Sequence, residues 1–157
     1  MTTNAETPLQ VKVKFLHEVW EEAELAYATP TSAGLDLRAC MDEPYVDVEP
    51  GARVKVSAGL SIEICRPGIA GFVFSRSGLG AKDGLTVAQG VGVIDPDYRG
   101  PIIVFLLNTS GERRRIERGQ RIAQLVFLPY HHAAIVPVSE LSETERGAGG
   151  FGHTGRH

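Results

Sequence analysis

Short alternating stretches of apolar and polar residues dominate the chain. Val11-Lys12-Val13-Lys14-Phe15 has the two-residue period of a half-buried strand. Residues 20–27 suit a short turn or helix that ends at Thr29-Pro30-Thr31-Ser32. Leu35, Leu37 and Ala39 alternate with Asp36 and Arg38, which predicts Asp36 on the face opposite the leucines. Further strands are predicted at 45–48, 53–64, 69–74, 102–107, 115–117 and 122–128. Pro50-Gly51, Pro67-Gly68, Asn108-Thr109-Ser110-Gly111 and Arg118-Gly119 separate them. No long segment carries a helical period, and the spacing leaves no room for the crossover helices of a parallel sheet. The expected fold class is all-β, a sandwich or barrel-like domain.

The 157 residues, 43% of them hydrophobic, suffice for one domain with a real core. The first domain is expected over 1–141 and a glycine-rich C-terminal arm over 142–157. The formal net charge of -3 argues against a stable nucleic-acid partner, although a local basic pocket remains compatible with it. Arg113-Arg114-Arg115 reads as a solvated hairpin, since acidic neighbours offset it and no aromatic residues are interleaved. Two widely spaced cysteines, Cys40 and Cys65, make neither a disulfide scaffold nor a zinc knuckle. His131-His132 completes no zinc set and reads as a structural or solvated pair. No apolar run reaches membrane-spanning length and the first nine residues lack a targeting core, so a cytoplasmic protein without membrane contact is expected.

Four islands carry chemistry. In Arg76-Ser77-Gly78-Leu79-Gly80, an arginine fork and a hydroxyl accompany glycines that suit a tight turn with backbone N–H groups facing an anion. A plain surface turn explains the same residues. In Val93-Ile94-Asp95-Pro96-Asp97-Tyr98-Arg99-Gly100, apolar residues deliver Asp95 to a strand end beside an aromatic ring. Such a carboxylate can orient water near a stacked sugar or base, or simply cap a hairpin. Gln124 stands two residues from Ile122, a spacing compatible with the same face, where a buried amide needs partners. A solvated edge-strand glutamine is the bland alternative. The tail carries Arg146, Phe151 and Thr154 among glycines, which suits phosphate contact and base stacking as well as it suits an idle terminus.

Taken together and in order, these islands resemble the five motifs of the trimeric dUTP pyrophosphatase (dUTPase) family. Ala33-Gly34-Leu35-Asp36-Leu37-Arg38-Ala39 resembles the first, Arg76-Ser77-Gly78-Leu79 the second, and Gly92-Val93-Ile94-Asp95-Pro96-Asp97-Tyr98-Arg99-Gly100 the third. Gly119-Gln120-Arg121-Ile122-Ala123-Gln124-Leu125 resembles the fourth and Arg146-Gly147-Ala148-Gly149-Gly150-Phe151-Gly152 the fifth. The resemblance spans residues 11–155. It implies a jelly-roll-like homotrimer with active sites shared between chains, and hydrolysis of dUTP to dUMP and pyrophosphate by water attacking the α-phosphorus.

By the same resemblance Asp95 is the catalytic residue that orients the water. Asp36 and Gln124 hold Mg2+ through its waters. Arg76, Ser77, Gly78, Gln124, Arg146, Gly152, His153 and Thr154 serve the phosphates. The hairpin across 89–93, with Gln89, Gly92 and Val93, reads uracil; Tyr98 packs on the deoxyribose and Phe151 stacks on the base. Three departures stand out: Gln89 where many members carry asparagine, His153 for a common serine, and Ser75 for a frequent proline before Arg76, which removes turn rigidity. The nearest rival is dCTP deaminase or a bifunctional relative, which shares the plan but places a catalytic glutamate where this chain has Phe105. The other rival, an inactive nucleotide-binding regulatory trimer, sits poorly with intact Asp95, Arg76, Gln124, Tyr98 and Phe151.

Overall fold

The computed structural model describes residues 8–150. Eleven strands and two short helices follow one another in these residues. In chain order they are β1 (Val11–Phe15), α1 (Val19–Glu22), β2 (Leu35–Arg38), β3 (Tyr45–Val48), β4 (Arg53–Ser57), β5 (Leu60–Ile64) and β6 (Ile69–Ser75). Then come α2 (Ser77–Asp83), β7 (Leu85–Val87), β8 (Gly92–Ile94), β9 (Ile103–Asn108), β10 (Arg114–Glu117) and β11 (Arg121–Pro129). The strands form four sheets, ordered β2-β11-β6-β8, β4-β9-β7, β1-β5 and β10-β3. Every ladder is antiparallel, so the all-β expectation holds.

One core draws on all four sheets. Leu37, Val73 and Leu125 join Val56, Leu85 and Val104, Leu60 and Ile62, and Val48 and Ile116 in one buried cluster. Trp20 caps it from α1, and its indole N–H donates to the Ala58 carbonyl at 2.9 Å, so the ring is buried without an orphaned donor. Cys40 lies in this core, where burial pushes its thiol up to about 11; Cys65 is exposed, and both are free thiols.

The structure corrects four local expectations. The run over 53–64 is two strands, because Gly59 adopts a φ of 64° and a Cβ there would lie 2.5 Å from the Cys40 sulfur. The glycines after Arg76 form no tight turn. They lie in α2, which ends on Gly84 at φ 71° with its N–H bonded to the Leu79 carbonyl. Leu79 pins that helix into the core. Arg113-Arg114-Arg115 belongs to no local hairpin: β10 pairs with the distant β3. The charges are nonetheless offset, since Arg113 meets Glu49 at 2.6 Å, Arg115 meets Asp47 at 2.8 Å, and Arg114 lies 3.6 Å from Glu112. Finally, Gln124 does not share a face with Ile122. The register shifts between Arg121 and Ala123, so Ile122 and Ala123 are both buried and Gln124 faces away from Ala123 and Leu125.

Asn108 is the polar pin of the core. Its side-chain nitrogen donates to the carbonyls of Val48 and Glu112, each at 2.8 Å, and its oxygen accepts from the Ser110 N–H and hydroxyl. Every capacity of a fully buried amide is used. Asn108→Ala strands several of those partners and is expected to cost about 2–4 kcal/mol. Urea unfolding checks this, and a loss below measurement error would contradict it.

Candidate active site

The register of one sheet assembles the first half of the site. β11 lies between β2 and β6, which sets Gln124 directly opposite Asp36 on one side and Phe74 on the other. The two residues expected to hold a metal through water are therefore cross-strand neighbours. The Gln124 side-chain nitrogen donates to the Ser75 carbonyl at 3.0 Å, which leaves its oxygen as the available acceptor. That oxygen faces Gly34, where a Cβ would stand only 2.8 Å away.

Asp36 is bracketed by two arginines. Its Oδ1 accepts from Arg76 Nε at 2.7 Å and its Oδ2 from Arg121 Nη1 at 3.0 Å. Arg76 also reaches the Arg121 carbonyl, at 3.4 Å. Arg76 caps the start of α2 without a side-chain capping bond, and Ser77 and Gly78 open the first helical turn at the surface. A groove of about 470 Å3 runs beside them, lined by Arg38, Arg76, Gly78, Leu79, Lys82 and Arg121. Asp83 is the one carboxylate among its lining residues, against four cations. A chain of net charge -3 thus carries a basic hollow suited to a polyphosphate.

The second half lies at the other end of β6. There β8 pairs antiparallel with β6, with Ile94 opposite Gly71. Asp95 follows at the strand end, exposed, and its carbonyl accepts from the Tyr98 N–H at 3.1 Å. Tyr98 turns its ring across Gly100 and donates its hydroxyl to the Pro101 carbonyl at 3.0 Å. A Cβ on Gly100 would come within 2.6 Å of the ring carbon Cζ, so the tyrosine in this position packs directly over the glycine and would have to shift for a larger residue. Arg99 staples the turn with bonds to the Pro96 and Tyr98 carbonyls at 2.7 and 3.1 Å. Val93 and Asp95 line a groove of about 580 Å3 with Phe72, Pro96, Tyr130 and His132.

The segment holding Gln89 is not the hairpin expected. β7 pairs with β9 while β8 pairs with β6, so residues 88–91 cross from one sheet to another. Gln89 is exposed there, beside Gly92, whose added Cβ would lie 3.4 Å from the Gln89 side-chain nitrogen. In the tail, Arg146 donates to the Gly149 carbonyl at 3.0 Å. Phe151, Gly152, His153 and Thr154 lie outside the described residues. Sequence reasoning passed over Gly34, Arg38, Lys82 and Arg121. The signal for Arg121 was its place in the Gly119-Gln120-Arg121 run, but only the β2–β11 register shows its carboxylate partner.

The two halves are far apart within one chain. The six residue-to-residue steps from Ala70 to Arg76 span roughly 20 Å, which is too far for the fork of Arg76 and the carboxylate of Asp95 to serve adjacent phosphates.

The sequence model of the dUTPase family matches residues 22–155. This chain belongs to the dUTPase family. It is 46% identical over 147 residues to the deoxyuridine 5'-triphosphate nucleotidohydrolase of Desulfitobacterium hafniense, covering 94% of this chain and 97% of that one. It is 45% identical over 150 residues to the protein of the same name from Psychromonas ingrahamii, covering 94% and 99%. Among solved structures, it resembles the Staphylococcus bacteriophage 80alpha dUTPase G164S mutant with dUpNHpp, with a TM-score of 0.79, 27% identity, and coverage of 93% and 98%. The all-β, jelly-roll-like dUTPase fold follows from this likeness. No helix among the described residues is long and apolar enough to cross a membrane.

The contact of Gly34 with Gln124 is directly testable in this dUTPase-family chain. Gly34→Ala is expected to swing the Gln124 amide off the Ser75 carbonyl. The stability cost should be only about 1 kcal/mol, because the clash falls on a flexible side-chain tip. The Gln124 side-chain NH2 resonances report the displacement. Unshifted resonances in a stably folded variant would refute it.

Proposed function

We propose that the chain hydrolyses dUTP to dUMP and pyrophosphate in sites assembled from three copies. The observation that carries this reading is the separation just described. A basic phosphate groove and an exposed carboxylate-bearing turn lie at opposite ends of β6, each open and each half of a site. A threefold ring is an ordinary way to bring the Asp95 end of one copy to the Arg76 end of the next. The arm over 142–157 then closes over the result.

The reaction begins with the triphosphate in the basic groove. Arg76 and Arg146 offer planar forks to its oxygens. Ser77 adds a hydroxyl, and the first-turn N–H of Gly78 is among those a helix leaves unpaired. Gly152, His153 and Thr154 complete the phosphate contacts from the arm. At the other end, backbone groups across 89–93 pair with uracil, with Gln89, Gly92 and Val93 forming its walls. A donor in place of a carbonyl on the base leaves buried polar groups mismatched, which rejects cytosine. Tyr98, held by Gly100 and Pro101, packs on the deoxyribose and crowds a 2′-hydroxyl. Phe151 covers the base.

Asp95 accepts a hydrogen bond from a water placed behind the α-phosphorus and takes up its proton as the P–O bond forms. The bond to the bridging oxygen breaks and pyrophosphate leaves. The chemistry of Asp36 and Gln124 suits Mg2+ bound through water: a carboxylate and an amide oxygen, side by side, with no dense ligand cluster. No group of three or more His, Cys, Asp or Glu side chains arranged for metal exists among the described residues. With two arginines on Asp36, the local charge repels a bare cation, so the residues fit a metal that arrives with the nucleotide. When bound, Mg2+ neutralises phosphate charge and fixes the geometry of the polyphosphate.

Asp95→Asn is expected to lower turnover by roughly 10²–10⁴-fold while the chain still binds dUpNHpp. Near-normal pyrophosphate release by that variant would remove Asp95 from the mechanism. Phe151→Ala should weaken nucleotide affinity by about 0.5–1.5 kcal/mol, read by calorimetry. Pyrophosphate release from dUTP, set against dCTP, dTTP and UTP with and without chelator, tests the whole reading. Ammonia release from dCTP, or activity undiminished by excess chelator, would overturn it.

A further inference from the structure

We infer that Arg121 is a positioning residue that keeps the fork of Arg76 open for the triphosphate by dividing the Asp36 carboxylate between two arginines. The inference rests on the dUTP reading above and adds a residue that the motif comparison left without a role.

A carboxylate beside one arginine normally takes two parallel N–H bonds from it, since that bidentate geometry is the strongest available. Here it does not. Asp36 gives one oxygen to Arg76, through Nε alone, and the other to Arg121, through Nη1. The arrangement has a definite origin in the fold. Asp36 lies opposite Gln124 and Arg121 opposite Arg38, and the register shift between Arg121 and Ala123 places the Arg121 side chain beside Asp36. The Arg121 side chain is about half exposed, while Asp36 and Arg76 are more sheltered, so Arg121 flanks the pair from the solvent side. Both arginines line the basic groove.

Two consequences follow. Among the described residues, Nη2 of Arg76 has no carboxylate partner, so that nitrogen can meet a phosphate oxygen while Nε stays on Asp36. Each Asp36 oxygen, having accepted one bond, retains a second acceptor position for a metal-bound water. Without Arg121, Asp36 is free to rotate and take the Arg76 fork from both sides. That collapse withdraws a phosphate ligand and a metal-facing carboxylate together. Arg121 therefore acts through Asp36 and not by touching the nucleotide.

Calorimetric binding of dUpNHpp to the full chain, with and without magnesium chloride, tests this without relying on turnover. Arg121→Ala should weaken dUpNHpp binding in magnesium by roughly 3–10-fold. Deoxyuridine, which lacks phosphates, should bind both proteins equally. Arg121→Lys, which still offers one charged donor to Oδ2, should recover much of the loss and guards against a folding artefact, with thermal unfolding measured alongside. The deciding arm is the double variant. In an Asp36→Asn background Arg121→Ala should add nothing, because the carboxylate to be divided is gone. An additional loss there, equal to that in the wild-type background, would show direct phosphate contact and overturn the inference. So would an unchanged affinity in Arg121→Ala. A wild-type chain that binds dUpNHpp no better than deoxyuridine would overturn the dUTP reading itself.

Discussion

The site depends on the placement of one strand. β11 runs between β2 and β6, and its register sets Asp36 opposite Gln124, with Asp36 bonded to Arg76 and Gln124 bonded to Ser75. A one-residue slip would turn Gln124 into the core and Ala123 or Leu125 into the groove. The core forbids this, because Ala123 and Leu125 are almost fully buried. Hydrophobic burial on one face thus sets polar geometry on the other, and the site inherits its precision from the packing of side chains that take no part in chemistry.

Charge follows from that placement. Asp36 is mostly sheltered yet tolerated, since two charge-assisted hydrogen bonds offset its desolvation. Two guanidinium groups on one carboxylate leave excess positive charge, with Arg38 and Lys82 adding to it across the groove. The surplus explains how an acidic chain can present a surface for a polyanion. On the proposed reading it also makes anion and cation binding mutually dependent: the arginines would discourage a lone metal ion, whereas a bound triphosphate would reverse the local sign.

Much of this was legible in the sequence. Alternation and short apolar runs located most strands, because many strands here are buried on one face and solvated on the other, but they missed β7 (Leu85–Val87) and merged β4 and β5 into one. The chemically rich segments were found in the right places because their residue types are unusual for plain turns. What stayed hidden required long-range information. The split at Gly59 depends on the sulfur of Cys40, and the α2 helix depends on Leu79 finding the core. The pairing of β10 with β3 spans a long stretch of chain, so local turn signals suggested a hairpin instead. The two-residue spacing that would put Gln124 on the face of Ile122 fails because a register shift resets the alternation that strand-face arguments assume. Arg121 could be named from the sequence, but no pattern along the chain reveals that it shares Asp36 with Arg76.

Ser75 shows how a departure from a family pattern can be misread from composition alone. Replacing a proline before Arg76 suggests lost rigidity, since proline restricts the backbone by itself. The structure supplies a different restraint. The Ser75 hydroxyl accepts from the Val87 N–H at 2.8 Å, and its carbonyl accepts from Gln124. Val87 ends β7 just before the crossing segment that carries Gln89. A proline ring has no hydroxyl for that N–H, so the serine exchanges a local dihedral constraint for a tertiary one. The gain is a physical link: the residue that precedes Arg76 and bonds Gln124 is tied directly to the entry of the turn proposed to read the base.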